Sequence, residues 1–170
     1  MLLGFALLYV GAVLFLNGLW LLGKIDDKEI VVINVVSGFV TLCVALSSAF
    51  GAQADAASIK AAALTLLFTT TYLWVAYNRV VTVDGRGLGW FSLFVAVTVV
   101  PIALQGLTSA QSVTDTWLGL NWAIWAVLWF MYFLLLALKR PILKVTGLAT
   151  VASGIITGWI PGLLLLEGKL

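Results

Sequence analysis

The sequence predicts an all-α membrane protein, six transmembrane helices arranged as three repeated two-helix hairpins. Three observations carry this. The chain is 63% hydrophobic and only 9% charged, with a mean hydropathy of +1.16, so it cannot keep an ordinary wetted surface. Its apolar residues fall into six stretches, each long enough at ~1.5 Å per residue to cross a ~30 Å hydrocarbon layer. The basic residues gather in alternate connections.

In chain order the predicted spans are residues 2–22, 30–50, 61–81, 88–107, 117–138 and 142–166. The first has no basic leader and no small-residue cleavage site, and its apolar run covers a full membrane thickness, so it is expected to be retained as a span. The connections GKIDDKE, TVDGRG and KRP on one side, and GAQADAASIK and TSAQSVTD on the other, are too short for a further folded unit. One compact six-span bundle, residues 1–170, is expected.

Lys24, Lys28, Arg79, Arg86, Lys139, Arg140 and Lys144 flank the first, third and fifth connections, and only Lys60 and Lys169 lie on the opposite side. By the positive-inside rule the odd connections face the cytoplasm and both termini face out. The net charge of +2 reflects this pattern and forms no basic tract, so no nucleic-acid partner is expected. Cys43 lies within the second span, where it reads as a small apolar filler.

The absences narrow the function. There is no His, and the charged residues fall in connections or at span ends, which leaves no titratable relay at membrane depth for an ion-driven pump. No cluster of His, Cys or carboxylates suggests a metal, no nucleophile has a base beside it, and no nucleotide-binding or other cofactor motif occurs. An enzyme is therefore not expected. The polar residues that do lie at depth are neutral: Asn17, Asn34, Ser37, Thr41, Thr65, Thr69, Thr70, Thr71, Tyr72, Asn78, Thr98, Asn121, Thr150, Ser153 and Thr157. They suit hydrogen bonding between helices, and equally a passage for a neutral polar solute.

Two local patterns stand out. Gly154, Gly158 and Gly162 repeat one turn apart on the sixth span and predict close helix packing. Pro161 late in the same span lacks an N–H and should free a carbonyl, giving a kink or local unwinding. In NWAIWAVLWF, Trp122, Trp125 and Trp129 fall within an arc of roughly 60° on one helical face. Such a stripe can be core packing, an interfacial belt or the wall of a passage.

Two connections also read alike, NGLWLLGKIDDKE after the first span and NRVVTVDGRG after the third, in keeping with a repeated hairpin. Together LLYVGAVLFLNG, TYLWVAYN followed by DGRGLGWFSLFVA, NWAIWAVLWF and TGWIPGLLLL resemble the AmiS/UreI family of urea and short-chain amide channels. The likeness runs the length of the chain. The long, His-bearing outer loops of the acid-gated urea channel are absent, so the sequence is more similar to the amidase-linked branch.

The resemblance implies a bacterial inner-membrane channel for urea or short aliphatic amides. It further implies a homohexameric ring around a lipid plug, one solute path per protomer, and a functional link to a cytoplasmic amidase or urease. Carried over by position, the pore lining comprises Leu3, Leu7, Val10, Leu14 and Asn17 on the first helix, Trp74 on the third, and Trp122, Trp125, Leu128 and Trp129 on the fifth. Two positions depart from the acid-gated member: Thr70 replaces an aromatic near the third-helix lining, and Ser153 replaces a glutamate on the sixth helix. The first-helix set is spaced 4, 3, 4, 3 and keeps within an arc of about 80°, which geometry gives independently. Three readings stay open: a passive channel, an alternating-access carrier, and a structural membrane protein in which the indoles are packing.

Overall fold

The computed structural model describes residues 1–170 and contains six long helices and no strands. They are α1 (Leu2–Leu21), α2 (Ile30–Phe50), α3 (Ala56–Val80), α4 (Arg86–Thr108), α5 (Val113–Ala137) and α6 (Leu143–Leu166). Short connections make them alternate in direction, so both termini share one face with the α2–α3 and α4–α5 connections. The opposite, basic face carries the other three connections.

Spans predicted from apolar runs differ from the helices chiefly at polar ends. α3 begins at Ala56 rather than 61, because Asp55 and Ser58 form a reciprocal capping box that starts the helix before its apolar run. Ser112 caps α5 by a one-way bond, accepting from the Asp115 N–H, which brings that helix start forward to Val113.

The threefold repeat is expressed through packing. The most extensive helix pairs are α2/α3, α4/α5 and α1/α6, and the hairpins joined on the basic face touch less. The extensive pairs approach through glycine. Gly11 and Gly158 lie backbone against backbone between α1 and α6, where a methyl on either would collide with main-chain atoms of the other helix. Between α4 and α5, a Cβ on Gly106 would lie 3.2 Å from the Gly119 Cα. The Gly154, Gly158 and Gly162 stripe thus packs on α1, where lipid would otherwise be as good a neighbour and only close van der Waals contact favours association.

The less extensive pairs are stitched by polar side chains. Asn17 and Asn34 form a reciprocal amide pair between α1 and α2, at 3.0 and 2.7 Å, and Ser37 donates to the Tyr9 carbonyl at 3.2 Å. Tyr132 meets Thr150 across α5 and α6 at 3.1 Å. Other hydroxyls at depth do no such bridging: Thr65, Thr70 and Thr98 donate only to the carbonyl four residues earlier on their own helix.

α6 carries a π-helical segment, Gly154–Trp159, just ahead of Pro161. Without an N–H, Pro161 leaves the Thr157 carbonyl four residues back, and the Ile156 carbonyl five back, short of a helical donor. Both are claimed by α5. Asn121 Nδ2 donates to Thr157 O at 3.1 Å, and Trp117 Nε1 donates to Ile156 O at 3.1 Å. The expected disruption at Pro161 therefore takes the form of a π segment whose freed carbonyls fasten α6 to α5.

Candidate functional site: an uncharged cavity between the odd-numbered helices

A cavity of about 40 Å³ lies within the bundle, room for about three water molecules. Its walls are Leu14 and Asn17 of α1, Phe68, Thr71, Tyr72 and Val75 of α3, Leu88 and Ser92 of α4, and Trp125, Leu128, Trp129 and Tyr132 of α5. No charged side chain reaches it. From Phe68 to Val75 is seven residues along α3, so the lining spans roughly 10 Å of depth, from mid-span toward the basic face.

The two ends differ in chemistry. Toward mid-span the cavity is aromatic. The Phe68 ring lies among the indoles, its centroid 6.0 Å from Trp122, 4.8 Å from Trp125 and 4.7 Å from Trp129, and Trp122 and Trp125 meet edge to face at 5.1 Å. Phe68 thus fills the place between the indole stripe and the α1 stripe, and the slot anticipated there is partly occupied by a ring. Toward the basic face the lining gains Asn17, Thr71, Tyr72, Ser92 and Tyr132 before Val75 and Leu88, with Ile30, close it.

The indoles are held by their N–H groups. Trp125 Nε1 donates to Thr157 Oγ1 at 2.8 Å, and Trp129 Nε1 donates to Thr71 Oγ1 at 3.2 Å. The rings therefore face the cavity edge-fixed, one tethered to α6 and one to α3. A different condition holds at Tyr72. It is only 2% exposed, it lines the cavity, and its hydroxyl has no protein partner. A buried hydroxyl without a partner costs free energy unless something in the cavity answers it.

Of the residues expected at the pore, Leu14, Asn17, Trp125, Leu128 and Trp129 line the cavity together. Leu7 and Val10 are buried in the same apolar cluster, next to the aromatic end. Trp122 touches Phe68 and borders a cleft that opens on the face of the termini, beside Gln105, Ser109 and Asp115. Leu3 lies near the end of α1, 48% exposed.

Besides Leu3, Leu7, Val10 and Trp122, three more of the expected residues lie off the cavity. Thr70 is on the exposed outward face of α3, because a step of ~100° per residue turns Thr71 inward in its place. Trp74 packs on Phe91 at 5.6 Å and against Gly87, on the α4 side of α3. Ser153 is buried along the α5–α6 seam with Ala123, Val127 and Ala149.

Phe68, Thr71, Tyr72, Val75, Leu88, Ser92 and Tyr132 were not anticipated as lining. The first four follow the 3, 1, 3 spacing of one helical face, a signal readable beside TYLW. Ser92 and Tyr132 carry no such signature.

The whole chain has close relatives. Residues 2–169 match the AmiS/UreI family transporter profile. A Mycolicibacterium smegmatis protein, provisionally described as an amidate substrates transporter, is 42% identical over 167 residues, which is 98% of this chain and 77% of that one. The acid-activated urea channel of Helicobacter pylori strain J99 is 35% identical over 188 aligned positions, covering 96% of each chain. The cryo-EM structure of the Helicobacter pylori urea channel in its closed state superposes with a TM-score of 0.86 at 34% identity, over 99% of both chains. Its crystal structure gives 0.85 at 36% identity, over 99% of this chain and 98% of that one. Fold and sequence agree along the whole of this chain, and it belongs to the AmiS/UreI family.

Proposed function

We propose that the protein is a passive channel for urea or short-chain aliphatic amides in the bacterial inner membrane, with a separate narrow path through each protomer. The observation that carries this reading is the uncharged cavity between α1, α3, α4 and α5, aromatic at one end and bordered by hydroxyl-bearing residues at the other. The relatives named as a urea channel and an amidate transporter support the solute class.

The path runs from the face of the termini, past Leu3, Leu7, Val10 and Trp122, through the cavity, and leaves between Val75 and Leu88 on the basic face. Phe68 and the closing aliphatics must shift by a side-chain rotation for a solute to pass. A planar amide sheds water at the aromatic end, regains contact against ring faces and edges, and meets hydrogen-bonding groups further in. Na⁺ or Cl⁻ would lose several kcal/mol or more of hydration with no countercharge to replace it. Binding stays weak enough for release.

The basic face, with seven of the nine Lys and Arg residues, is the cytoplasmic one, and both termini lie outside. The protomers assemble as a homohexamer around lipid, and a cytoplasmic amidase or urease consumes the solute. Thr70 and Ser153, off the cavity, act on the protomer surface and along the α5–α6 seam rather than on the solute.

Stopped-flow swelling of proteoliposomes with urea, acetamide, propionamide and glycerol tests the reading. Urea or an amide should equilibrate faster than in protein-free vesicles, without saturation at modest concentration. Saturable flux with counterflow would replace the channel by a carrier. Trp125→Ala and Trp129→Ala should change the order of solutes; loss of assembly without any change of selectivity would leave the indoles as packing.

A further inference from the structure

The polar groups of the cavity have a direction. A Ser, Thr or Tyr hydroxyl owns one proton and can accept through its remaining lone pairs. Three of the four lining hydroxyls have already spent that proton. Thr71 donates to the Leu67 carbonyl at 2.7 Å. Ser92 donates to the Leu88 carbonyl at 2.8 Å. Thr150 donates to the Thr146 carbonyl at 2.7 Å, so its contact with Tyr132 at 3.1 Å must run the other way, with Tyr132 as donor.

Thr71, Ser92 and Tyr132 line the cavity, and what their hydroxyls have left to offer a solute is therefore lone pairs. Thr71 receives the Trp129 N–H as well, and still has one acceptor site left. The free donors are few. Tyr72 keeps an uncommitted O–H, and Asn17 keeps one amide N–H after its pairing with Asn34.

We infer that the cavity selects its solute by N–H donors: the oxygens of Thr71, Ser92 and Tyr132 accept from an unsubstituted –NH2, while the Tyr72 hydroxyl donates to the solute carbonyl. This deepens, and rests on, the amide-channel reading. It assigns specificity to hydroxyls whose protons are already committed within the protein, and makes Thr150 a positioning residue, since it sets the direction of the Tyr132 hydroxyl. A solute whose nitrogen is fully alkylated leaves those acceptors dry and unpaired, whatever its size or flatness.

The test uses three isomers of one formula and equal heavy-atom count: propionamide with two N–H groups, N-methylacetamide with one, and N,N-dimethylformamide with none. Purified protein is reconstituted in proteoliposomes, and the rate above protein-free vesicles is measured by stopped-flow light scattering. The wild type should favour propionamide over dimethylformamide by on the order of tenfold or more, with N-methylacetamide between. Tyr132→Phe and Ser92→Ala should each compress that ratio severalfold. Thr150→Val should do the same by freeing the Tyr132 proton, and Thr150→Ser, which keeps the hydroxyl, should restore it. Size-exclusion elution at the wild-type volume shows that a variant is assembled.

Equal rates for the three isomers, with urea still conducted, would overturn the donor rule and leave the channel intact. Unchanged ratios in both assembled lining variants would overturn the assignment to these residues. No flux of urea or any amide above protein-free vesicles would remove the channel reading and the donor rule with it.

Discussion

The indole N–H of Trp125 on α5 donates to the Thr157 hydroxyl on α6 at 2.8 Å, and Thr157 passes its own proton to the Ser153 carbonyl at 2.6 Å. One threonine thus fixes the plane of a cavity-lining ring from outside the cavity. Thr157→Val should leave that N–H buried and unpaired, at a cost of about 1–3 kcal/mol, and let the ring turn. The expected result is a lower melting temperature in detergent and urea flux changed severalfold; Thr157→Ser should behave as the wild type. Identical flux in the valine variant would show that the ring is held by packing alone.

Asn121 and Pro161 should be energetically coupled. Asn121 takes the Thr157 carbonyl that Pro161 leaves free, so Pro161→Ala, by supplying a competing N–H, reduces what Asn121 contributes. In a double-mutant cycle read by thermal unfolding, Asn121→Ala should be more damaging in the wild-type background than in the Pro161→Ala background. A coupling of about 1 kcal/mol is expected; an additive cycle would refute it.

The Asn17 and Asn34 amides satisfy each other within the membrane, and Asn34 also donates to the Ile30 carbonyl at 2.8 Å. Removing either one strands its partner. Asn17→Ala and Asn34→Ala should each lose about 1–3 kcal/mol, and the double variant should lose less than the sum. Chemical denaturation in mild detergent measures all three.

Gly158 has no room for even a methyl group, since it would meet the main chain of Gly11. Gly158→Ala should force α1 and α6 apart at a cost of about 1–3 kcal/mol, seen as a lower yield of monodisperse protein.

Flux should be flat between pH 5 and 7. The cavity has no titratable group with an ordinary value in that window, and the chain has no His. Outside the spans, the Ser58 backbone N–H, followed by its hydroxyl, lowers the Asp55 carboxyl, and the Arg86 backbone N–H lowers that of Asp84. A lowered folded-state pKa contributes stability that is fully present above the unfolded value near ~3.9 and lost as pH falls through the folded one. Melting temperature should therefore fall only below about pH 4 on account of these groups. A steep rise in urea uptake between pH 7 and 5 would contradict the prediction.

Hydropathy made the spans readable because each helix had to bury its backbone in apolar surroundings, and the largest shift, at α3, came where Asp55 and Ser58 replace hydrophobicity as the starting signal. The α1 stripe and the indoles were readable as faces. What periodicity cannot give is the phase of one face against its neighbours: Thr70 and Thr71 differ by one step, yet only Thr71 meets the cavity. Tyr132 and Ser92 are brought there from α5 and α4 by tertiary packing, with nothing local to mark them. The Pro161 carbonyls were legible as a need, but that Trp117 and Asn121 would meet it depends on how α5 lies against α6.

The want of any ionised group along the cavity has a further meaning under the proposed function. A conduit that carries no current leaves the electrical gradient of the cell untouched and can stand open at all times. Net movement then follows metabolic demand alone, inward for as long as something inside consumes what arrives.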